Sequence, residues 1–212
     1  LKSVNDRNDA SSFINLSLDV ELSKTENLCN GDVITYEVGF NNLCDQIVDC
    51  QFENISGTYT VSGSMTEDAQ IIIATAEDDK DSVDLILDNV TMSNSTDTPC
   101  IMIENAKKTK ITVTGTNTLS NSYDTADAAS AAIYAKDDIT FTKSSSGTLE
   151  INTAAQMGIY CNNDIKFNGG NINITTDSLK TETASADAVK AKGNVEIPGG
   201  EINVNAAGDG IK

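Results

Sequence analysis

The segment IYAKDDITF runs from 133 to 141 and is one copy of a repeat. It recurs as IYCNNDIKF at 159–167 and as VKAKGNVEI at 189–197, and Ile211-Lys212 begins a further copy. A looser copy, IMIENA, lies upstream at 101–106. Successive copies therefore start 32, 26, 30 and 22 residues apart. Repeats of this length indicate an architecture in which each copy is one structural unit that packs on the next.

A second short strand, opened by glycine, follows each full copy. These strands read GTLEIN at 147–152, GNINIT at 170–175 and GEINVN at 200–205. In both kinds of segment Ile, Leu or Val alternates with polar residues, which is the period of a strand with one buried face. Aligning the copies gives files of equivalent residues that we expect to point inward or to line a corner: Ile133, Ile159, Val189 and Ile211; Ala135, Cys161 and Ala191; Ala132, Gly158, Ala188 and Gly210.

The repeats predict an all-β fold, a parallel β-helix in which each copy forms one coil of a solenoid over 51–212. The chain contains no helical pattern long enough for a βαβ crossover. The alternative is an antiparallel β-sandwich, which also uses many short strands. A sandwich would show turn signals about every 8–12 residues and would have no reason for matching files. The files therefore favour the β-helix.

Residues 1–50 form a separate N-terminal strand segment. A run of alternating apolar residues, a turn at 30–32 and a second alternating run at 34–40 predict an antiparallel strand pair over 13–41. One interpretation of this pair is an end cap that covers the first coil. The apolar positions of the first strand are Ile14, Leu16, Leu18, Val20 and Leu22.

The second interpretation is assembly. The sequence reaches Lys212 in mid-coil, so the apolar layer around Ile211 would present an open β-edge. The N-terminal strand of one subunit, added to that edge on the next, would give a head-to-tail homo-oligomer that grows into a filament.

Composition excludes several classes of function. Asp and Glu number 32 against 14 Lys and Arg, a net charge of −18, so nucleic acid and anionic membrane surfaces are repelled. The chain has no His, which excludes Ser-His-Asp triads and His-ligated zinc, and it has no Trp. No stretch approaches the ~20 apolar residues of a membrane span, so we expect no membrane insertion. Carboxylates, amides, Lys, Tyr and Cys remain for any site chemistry.

Cysteines and glycosylation sequons bear on localisation. The five Cys include no CxxC pair, which argues against a zinc or thioredoxin-like site. Cys161 falls in an inward file as a small core residue, whereas Cys29, Cys44 and Cys50 are candidate disulfide partners. Sequons give weak support to an extracellular or cell-surface location, and they lie at Asn15, Asn54, Asn89, Asn94 and Asn173.

Outward files give the candidate sugar site. Tyr134 and Tyr160 are equivalent residues of neighbouring coils about 4.8 Å apart, so their rings can form an aromatic ledge for a sugar. Lys136, Lys190 and Lys192 flank the tyrosines and can pair with uronate carboxylates. Stacked aromatics also stabilise a solenoid face without any ligand, so both interpretations stay open.

Repeated acidic and amide positions give the candidate metal site. Equivalent residues bring like charges together in successive coils, which favours a bound cation unless solvent screens them. Calcium, which takes about six to eight oxygen ligands, is the predicted ion. The alternative is a solvated acidic face. The candidate ligands are Asp137, Asp138, Asp164, Asp187, Asp209, Asn163 and Asn194.

Five phrases of the chain resemble a known bacterial family: GTYTVSG at 57–63, LILDNV at 85–90, NAKK at 105–108, IYAKDD at 133–138 and GDGIK at 208–212. The family that these phrases resemble is the carbohydrate-binding β-helix family of polysaccharide-lyase-like proteins known from clostridial plant-cell-wall degraders. The resemblance covers about three quarters of the chain. It implies a right-handed parallel β-helix, an extracellular location, calcium along the solenoid, and binding of cellulose- or pectin-like polysaccharide without established turnover.

Two departures from the family accompany the resemblance. Its members continue through further coils after the Asp-Gly-Ile phrase, and residues 1–50 have no counterpart in it.

A lyase of this architecture would use a lysine base beside calcium, and Lys136 or Lys192 would be the candidates. The sequence shows no second positioned group beside either lysine, so we expect no enzyme activity.

Overall fold

The structure of the chain is a computed structural model. It describes residues 20–25, 35–40, 49–53, 57–65, 68, 70–75, 82–123, 131–154, 156–177 and 186–212, with side chains from Gly57 onward. This part of the chain contains strands and no helix, and thus no helix able to cross a membrane. The strands are β1 Val20–Thr25, β2 Thr35–Phe40, β3 Asp49–Glu53, β4 Gly57–Met65, β5 Gln70–Ala74, β6 Val83–Asn94, β7 Ile101–Asn105, β8 Lys108–Thr114, β9 Thr116–Asn121, β10 Ala131–Ala135, β11 Asp138–Phe141, β12 Thr148–Thr153, β13 Met157–Cys161, β14 Ile165–Phe167, β15 Asn171–Thr176, β16 Val189–Ala191, β17 Val195–Glu196 and β18 Glu201–Asn205.

These strands form a parallel β-solenoid with three faces. The first is a six-stranded sheet of β3, β5, β7, β10, β13 and β16, here called the β10 face. The second sheet has twelve strands and folds over a corner, because β6 pairs with β8 through its first half and with β9 through its second. We call two parts of it the β8 face (β8, β11, β14, β17 and the first half of β6) and the β9 face (β9, β12, β15, β18 and the second half of β6). β4, β2 and β1 continue the sheet beyond β6.

Register between the coils confirms the repeat. Ile133 pairs with Ile101 on one side and with Ile159 on the other, Ile159 pairs with Val189, and Val189 forms a bridge with Ile211. Ile101, Ile133, Ile159 and Val189 are fully buried. The predicted inward file is therefore confirmed. Parallel pairing between coils also excludes the β-sandwich alternative.

Inward residues of all three faces fill the interior of the solenoid. Phe141 and Phe167 are paired in register and stack with ring centroids 4.9 Å apart and planes 10° from parallel. Cys161 pairs with Ala135 in the small file and is fully buried, as predicted. Complete burial contributes about 1.5–3 kcal/mol for each large apolar side chain, so the repeated inward files are the main source of stability.

The corner between the β8 and β9 faces requires a left-handed backbone. Asn89 lies at this corner in β6 with a φ of +55°, and Gly115 lies between β8 and β9 with a φ of +63°. Thr116 donates its backbone N–H to Asn89 Oδ1 at 3.1 Å. A Cβ on Gly115 would collide with that same oxygen. Glycine at 115 thus satisfies both the backbone conformation and the close approach of the neighbouring coil.

The N-terminal strand pair extends the β8 face at the first coil. β1 pairs antiparallel with β2, as predicted, and Val20 and Leu22 lie in β1. β2 pairs in parallel with β4, and β3 pairs in parallel with β5, so parallel pairing already begins with β2, ahead of residue 51. Whether this pair acts as an end cap or as a donor strand stays a prediction. The other apolar positions of the predicted first strand lie outside the described residues: Ile14, Leu16 and Leu18.

We predict that Gly158→Ala destabilises the fold. A Cβ at this corner position would collide with Cγ2 of Ile174 and lie 2.6 Å from the carbonyl oxygen of Ala188. Overpacking of this kind costs about 1–3 kcal/mol, so the midpoint of urea denaturation should fall measurably. Gly210→Ala, in the same file, is the matched control. Its Cβ would meet Val204 Cγ2 at 3.3 Å, and that side chain is 40% exposed and free to shift. Equal losses in the two variants would contradict this account.

Candidate functional site

The β10 face carries the predicted aromatic ledge. Tyr134 and Tyr160 pair in register, and Lys190 pairs with Tyr160 on the next strand. The two ring centroids lie 5.5 Å apart with the ring planes tilted by 56°, a favourable geometry for an aromatic pair. Lys190 Nζ lies 5.7 Å from the Tyr160 centroid, within the range of a cation–π contact. The coil register thus brings three of the predicted sugar-binding residues together.

The ledge is partly enclosed by its own neighbours. Tyr160 is only 8% exposed and packs with Ala131 and Met157, which are almost completely buried. Tyr134 is half-buried and packs against this cluster. A ligand on this surface therefore meets the ring of Tyr134 and the charged end of Lys190 before it meets Tyr160.

Polar groups border the tyrosines on one side. Asn162 Nδ2 donates a hydrogen bond to Tyr134 Oη at 2.7 Å, which orients the phenol. Lys136 Nζ lies 3.6 Å from Glu104 Oε1, and both side chains are about half exposed. Lys192 is exposed just beyond β16. Lys136 and Lys192 therefore lie on the same face as the ledge, and their ammonium groups can reach an anionic ligand there.

An Asp–Lys pair recurs in the last two copies of the repeat. Asp187 Oδ2 and Lys190 Nζ lie 3.8 Å apart, and Asp209 Oδ2 and Lys212 Nζ lie 2.9 Å apart. The hydrogen bond from Lys212 lowers the pKa of Asp209 and raises the pKa of Lys212. Pairs as exposed as the second contribute little stability. The two Asp–Lys pairs instead hold the ammonium groups of Lys190 and Lys212 at equivalent positions of neighbouring coils, beside the ledge.

The predicted metal ligands accept backbone hydrogen bonds across coils. Asp164 donates its N–H to Asp138 Oδ1 at 3.2 Å, and Asn194 donates its N–H to Asp164 Oδ1 at 2.6 Å. Asp209 likewise donates its N–H to Asp187 Oδ1 at 2.8 Å. Each of these carboxylates thus binds an amide of the following coil through a charge-assisted hydrogen bond. The repetition of Asp therefore has a structural cause.

These candidate ligands also fall into two separate groups. One group lies at the turns after β10, β13 and β16, and the other lies ahead of β16 and of Ile211. Among the described residues, no three His, Cys, Asp or Glu side chains lie close enough together to hold a metal ion. Carboxylates alone therefore do not form a calcium shell there, and calcium stays a prediction. The first group is Asp137, Asp138, Asn163, Asp164 and Asn194, and the second is Asp187 and Asp209.

The last coil exposes part of its apolar layer. Ile197, Val204 and Ile211 are 47%, 40% and 44% exposed. A further coil, from this chain or from another, would cover the layer. The filament and the donor-strand role of the N-terminal segment stay predictions.

Comparison with known proteins places the chain in a family. A family model described as carbohydrate-binding domain-containing protein matches residues 54–212. The chain belongs to this family. Among solved structures it is similar to one described as the polysaccharide lyase-like protein from C. thermocellum, gadolinium derivative. The two are 20% identical with a TM-score of 0.43, over 84% of this chain and 95% of that chain. No curated protein matches the chain.

The family match confirms the predicted resemblance to carbohydrate-binding β-helix proteins.

The sequence pattern does not predict how Ala131 and Met157 pack in the candidate surface of this carbohydrate-binding domain. Ala132 and Ile133 are consecutive residues and both belong to the core. Strict alternation would point Ala131 and Met157 inward, but at this corner they pack with the outward Tyr160. The sequence signal for this is the corner file through Ala132 and Gly158, because the alternation of inward and outward residues breaks at a corner.

Two thiols of the carbohydrate-binding domain lie in its interior. Cys100 and Cys161 are free and buried. Burial raises the pKa of Cys100 to about 12 and that of Cys161 to about 11. Such thiols stay protonated at neutral pH and are poor nucleophiles and metal ligands. Cys29 and Cys44 lie outside the described residues and only the backbone of Cys50 is described, so the predicted disulfide partners stay a prediction.

We predict that neither interior thiol reacts with iodoacetamide at pH 7 in the folded protein. The thiolate fraction is small at these raised pKa values, and the core excludes the reagent. Peptide mapping by mass spectrometry would follow Cys100 and Cys161 separately from the other cysteines. The same protein in guanidinium chloride is the control, in which both should be labelled. Rapid labelling of either residue in the folded protein would contradict the burial described above.

Proposed function

We propose that the chain is an extracellular, non-catalytic module that binds a cellulose- or pectin-like polysaccharide. Membership of a carbohydrate-binding family supports the class of ligand. The observation that carries the proposal is the register that brings Tyr134, Tyr160 and Lys190 together on the β10 face. The extracellular location follows from the ligand, because such polymers lie outside the cell.

The chemistry of the ledge matches a sugar polymer. The ring of Tyr134 offers an apolar surface to the C–H face of a sugar, and its hydroxyl, held by Asn162, offers a hydrogen-bonding group beside it. Lys136, Lys190 and Lys192 supply positive charge on the same face of an otherwise acidic protein. Ammonium groups form charge-assisted hydrogen bonds with carboxylates. The ledge therefore favours the pectin-like polymer, whose uronate units carry a carboxylate.

The surroundings of the lysines support binding without turnover. A lyase of this architecture would place a lysine base beside a calcium ion that holds the uronate. Lys136 instead forms an ion pair with Glu104, its Nζ lying 3.6 Å from Glu104 Oε1. The other candidate base, Lys192, is exposed just beyond β16. A catalytic base requires a positioned partner, and no contact described above supplies one to Lys136 or Lys192.

We predict that Tyr134→Ala weakens retention on polygalacturonate and that Lys190→Ala does the same. Each removes one contact of the ledge, and a loss of about 1.4 kcal/mol would lower the affinity about tenfold. Affinity electrophoresis in gels that contain the polymer measures the change. Thr140→Ala on the β8 face is the matched control and should migrate as the wild type does. Absence of retention of the wild type on both cellulose and polygalacturonate would overturn the proposed function.

Calcium dependence belongs to the same proposal. It is supported by the net charge of −18 and by the Asp files, with amide and backbone oxygens completing any ligand shell. We expect a chelator to lower retention on polygalacturonate and added calcium to restore it, with magnesium as the control ion. Isothermal titration calorimetry of the protein with calcium chloride alone separates an ion bound by the protein from one bridged by the polymer. Equal retention with and without chelator would show that calcium is not required.

A further inference from the structure

The β9 face differs in chemistry from the other two faces. Its outward side chains are hydroxyls, amides and two carboxylates, and its described residues include no outward lysine, arginine, aromatic or aliphatic side chain. They lie in three files that are in register across the coils. These files, here called the polar face, are Thr116, Thr148, Asn171 and Glu201; Thr91, Thr118, Glu150, Asn173 and Asn203; and Ser93, Ser120, Asn152, Thr175 and Asn205.

Asparagine is disfavoured in β-strands, so its frequency on the polar face requires a cause. A hydrogen-bonded ladder accounts for part of it. Asn203 Nδ2 donates to Asn173 Oδ1 at 2.9 Å, and Asn173 Nδ2 donates to Glu150 Oε1 at 2.6 Å. The ladder orients the amide groups before any ligand arrives. A ligand that binds them therefore meets a smaller cost in side-chain entropy.

The polar face is also regular. Pairing from β9 through β12 and β15 to β18 shows no shift of register, whereas the pairing of β4 with β6 shifts between Ser62 and Gly63. Outward side chains then repeat about every 4.8 Å across the coils and about every 6.6 Å along each strand. Asn152, Thr175 and Asn203 are exposed. An extended polymer lying on this face would meet side-chain hydroxyl and amide groups at these regular spacings.

Charge separates the polar face from its neighbours. The β8 face carries lysines in ion pairs, with Lys110 Nζ 3.0 Å from Asp84 Oδ1 and Lys166 Nζ 2.6 Å from Glu196 Oε2, and the β10 face carries the lysines beside the aromatic ledge. Among its described residues the polar face has Glu150 and Glu201 as its charged groups. A carboxylate-bearing polymer would be repelled there and would find no cation to pair with. A neutral polymer would meet no such penalty.

We infer that the polar face is a second glycan-binding surface whose ligand is a neutral polysaccharide, rich in hydroxyl groups and without carboxylates. Sugar hydroxyls donate and accept hydrogen bonds, as do the amides and hydroxyls of the three files. The inference rests on the proposed function for the class of ligand. The polar face lies on a different side of the solenoid from the aromatic ledge, and its polymer is neutral whereas the ledge favours one that carries carboxylates.

The experiment compares two polymers and two faces. Thr175→Arg places a long charged side chain in the polar face, and Thr60→Arg, outward on β4, is the matched control. Binding is measured by depletion on amorphous cellulose and by affinity electrophoresis in polygalacturonate. We expect Thr175→Arg to lower the affinity for cellulose about tenfold, as loss of roughly one or two hydrogen bonds would. Its binding of polygalacturonate should not fall, and Thr60→Arg should bind both polymers as the wild type does.

A second variant separates binding from folding. Asn173→Thr removes the donor to Glu150 and keeps a residue that favours strands and carries no charge. It should lower cellulose affinity while its circular dichroism spectrum stays that of the wild type. If Thr175→Arg fails to fold, Asn203→Arg, at an exposed position of the last coil, replaces it.

The outcomes distinguish this inference from the proposed function. Wild-type cellulose binding by Thr175→Arg, or by Asn203→Arg where it replaces that variant, overturns the inference and leaves the proposed function standing. A wild type that binds polygalacturonate and not cellulose does the same. A wild type that binds neither polymer overturns both. Loss of cellulose binding in Thr175→Arg and Asn173→Thr, with polygalacturonate binding retained, supports the neutral polysaccharide as the ligand of the polar face.

Discussion

Parallel hydrogen bonding in register between successive coils constrains which residues of the solenoid can meet. It satisfies the backbone donors and acceptors of one coil with those of the next, so the strands present no edges between the ends of the solenoid. It also forces equivalent residues into straight files. An inward file must then be apolar in every coil, as Ile101, Ile133, Ile159 and Val189 are. An outward file likewise places equivalent residues of successive coils side by side, as it does Tyr134, Tyr160 and Lys190.

The same constraint explains how an acidic chain tolerates aligned carboxylates. Stacking Asp138 below Asp164 brings two negative charges close together, which favours a cation when only the charges are considered. In the structure each carboxylate accepts a backbone N–H of the following coil, so part of its charge is stabilised by the solenoid itself. The buried side-chain amide of Asn117 acts in the same manner, because its Oδ1 accepts the backbone N–H of Val90 at 2.8 Å. Polar groups that recur in register thus have a structural role before any ligand is considered.

Much of the fold and less of the site could be predicted from the residues. The inward file through Ile133 and the small file through Cys161 were both correct, because burial on a strand imposes a period of two residues that the sequence displays. The cluster of Tyr160 with Met157 was not predicted, since the corner at Ala132 shifts that period by one residue. Nor was the amide ladder through Asn173, because its members are far apart in the chain and carry no pattern other than polarity.

The amino-acid sequence is therefore sufficient for the repeat, the parallel solenoid and the inward files, since each follows from the order of apolar and polar residues along one coil. It indicates the family through the resemblance of five phrases. The identity of the outward neighbours required the assembled coils. Lys190 lies beside Tyr160, Asn203 beside Asn173, and Lys110 beside Asp84 only because loops of unequal length return each strand to the same register. That register sets the lysine-bearing aromatic face of the six-stranded sheet apart from the polar face, and the corner that divides the twelve-stranded sheet separates the polar face from the ion-paired lysines of the β8 face. Contacts across coils are tertiary contacts, and no local pattern encodes which of them a ligand will meet.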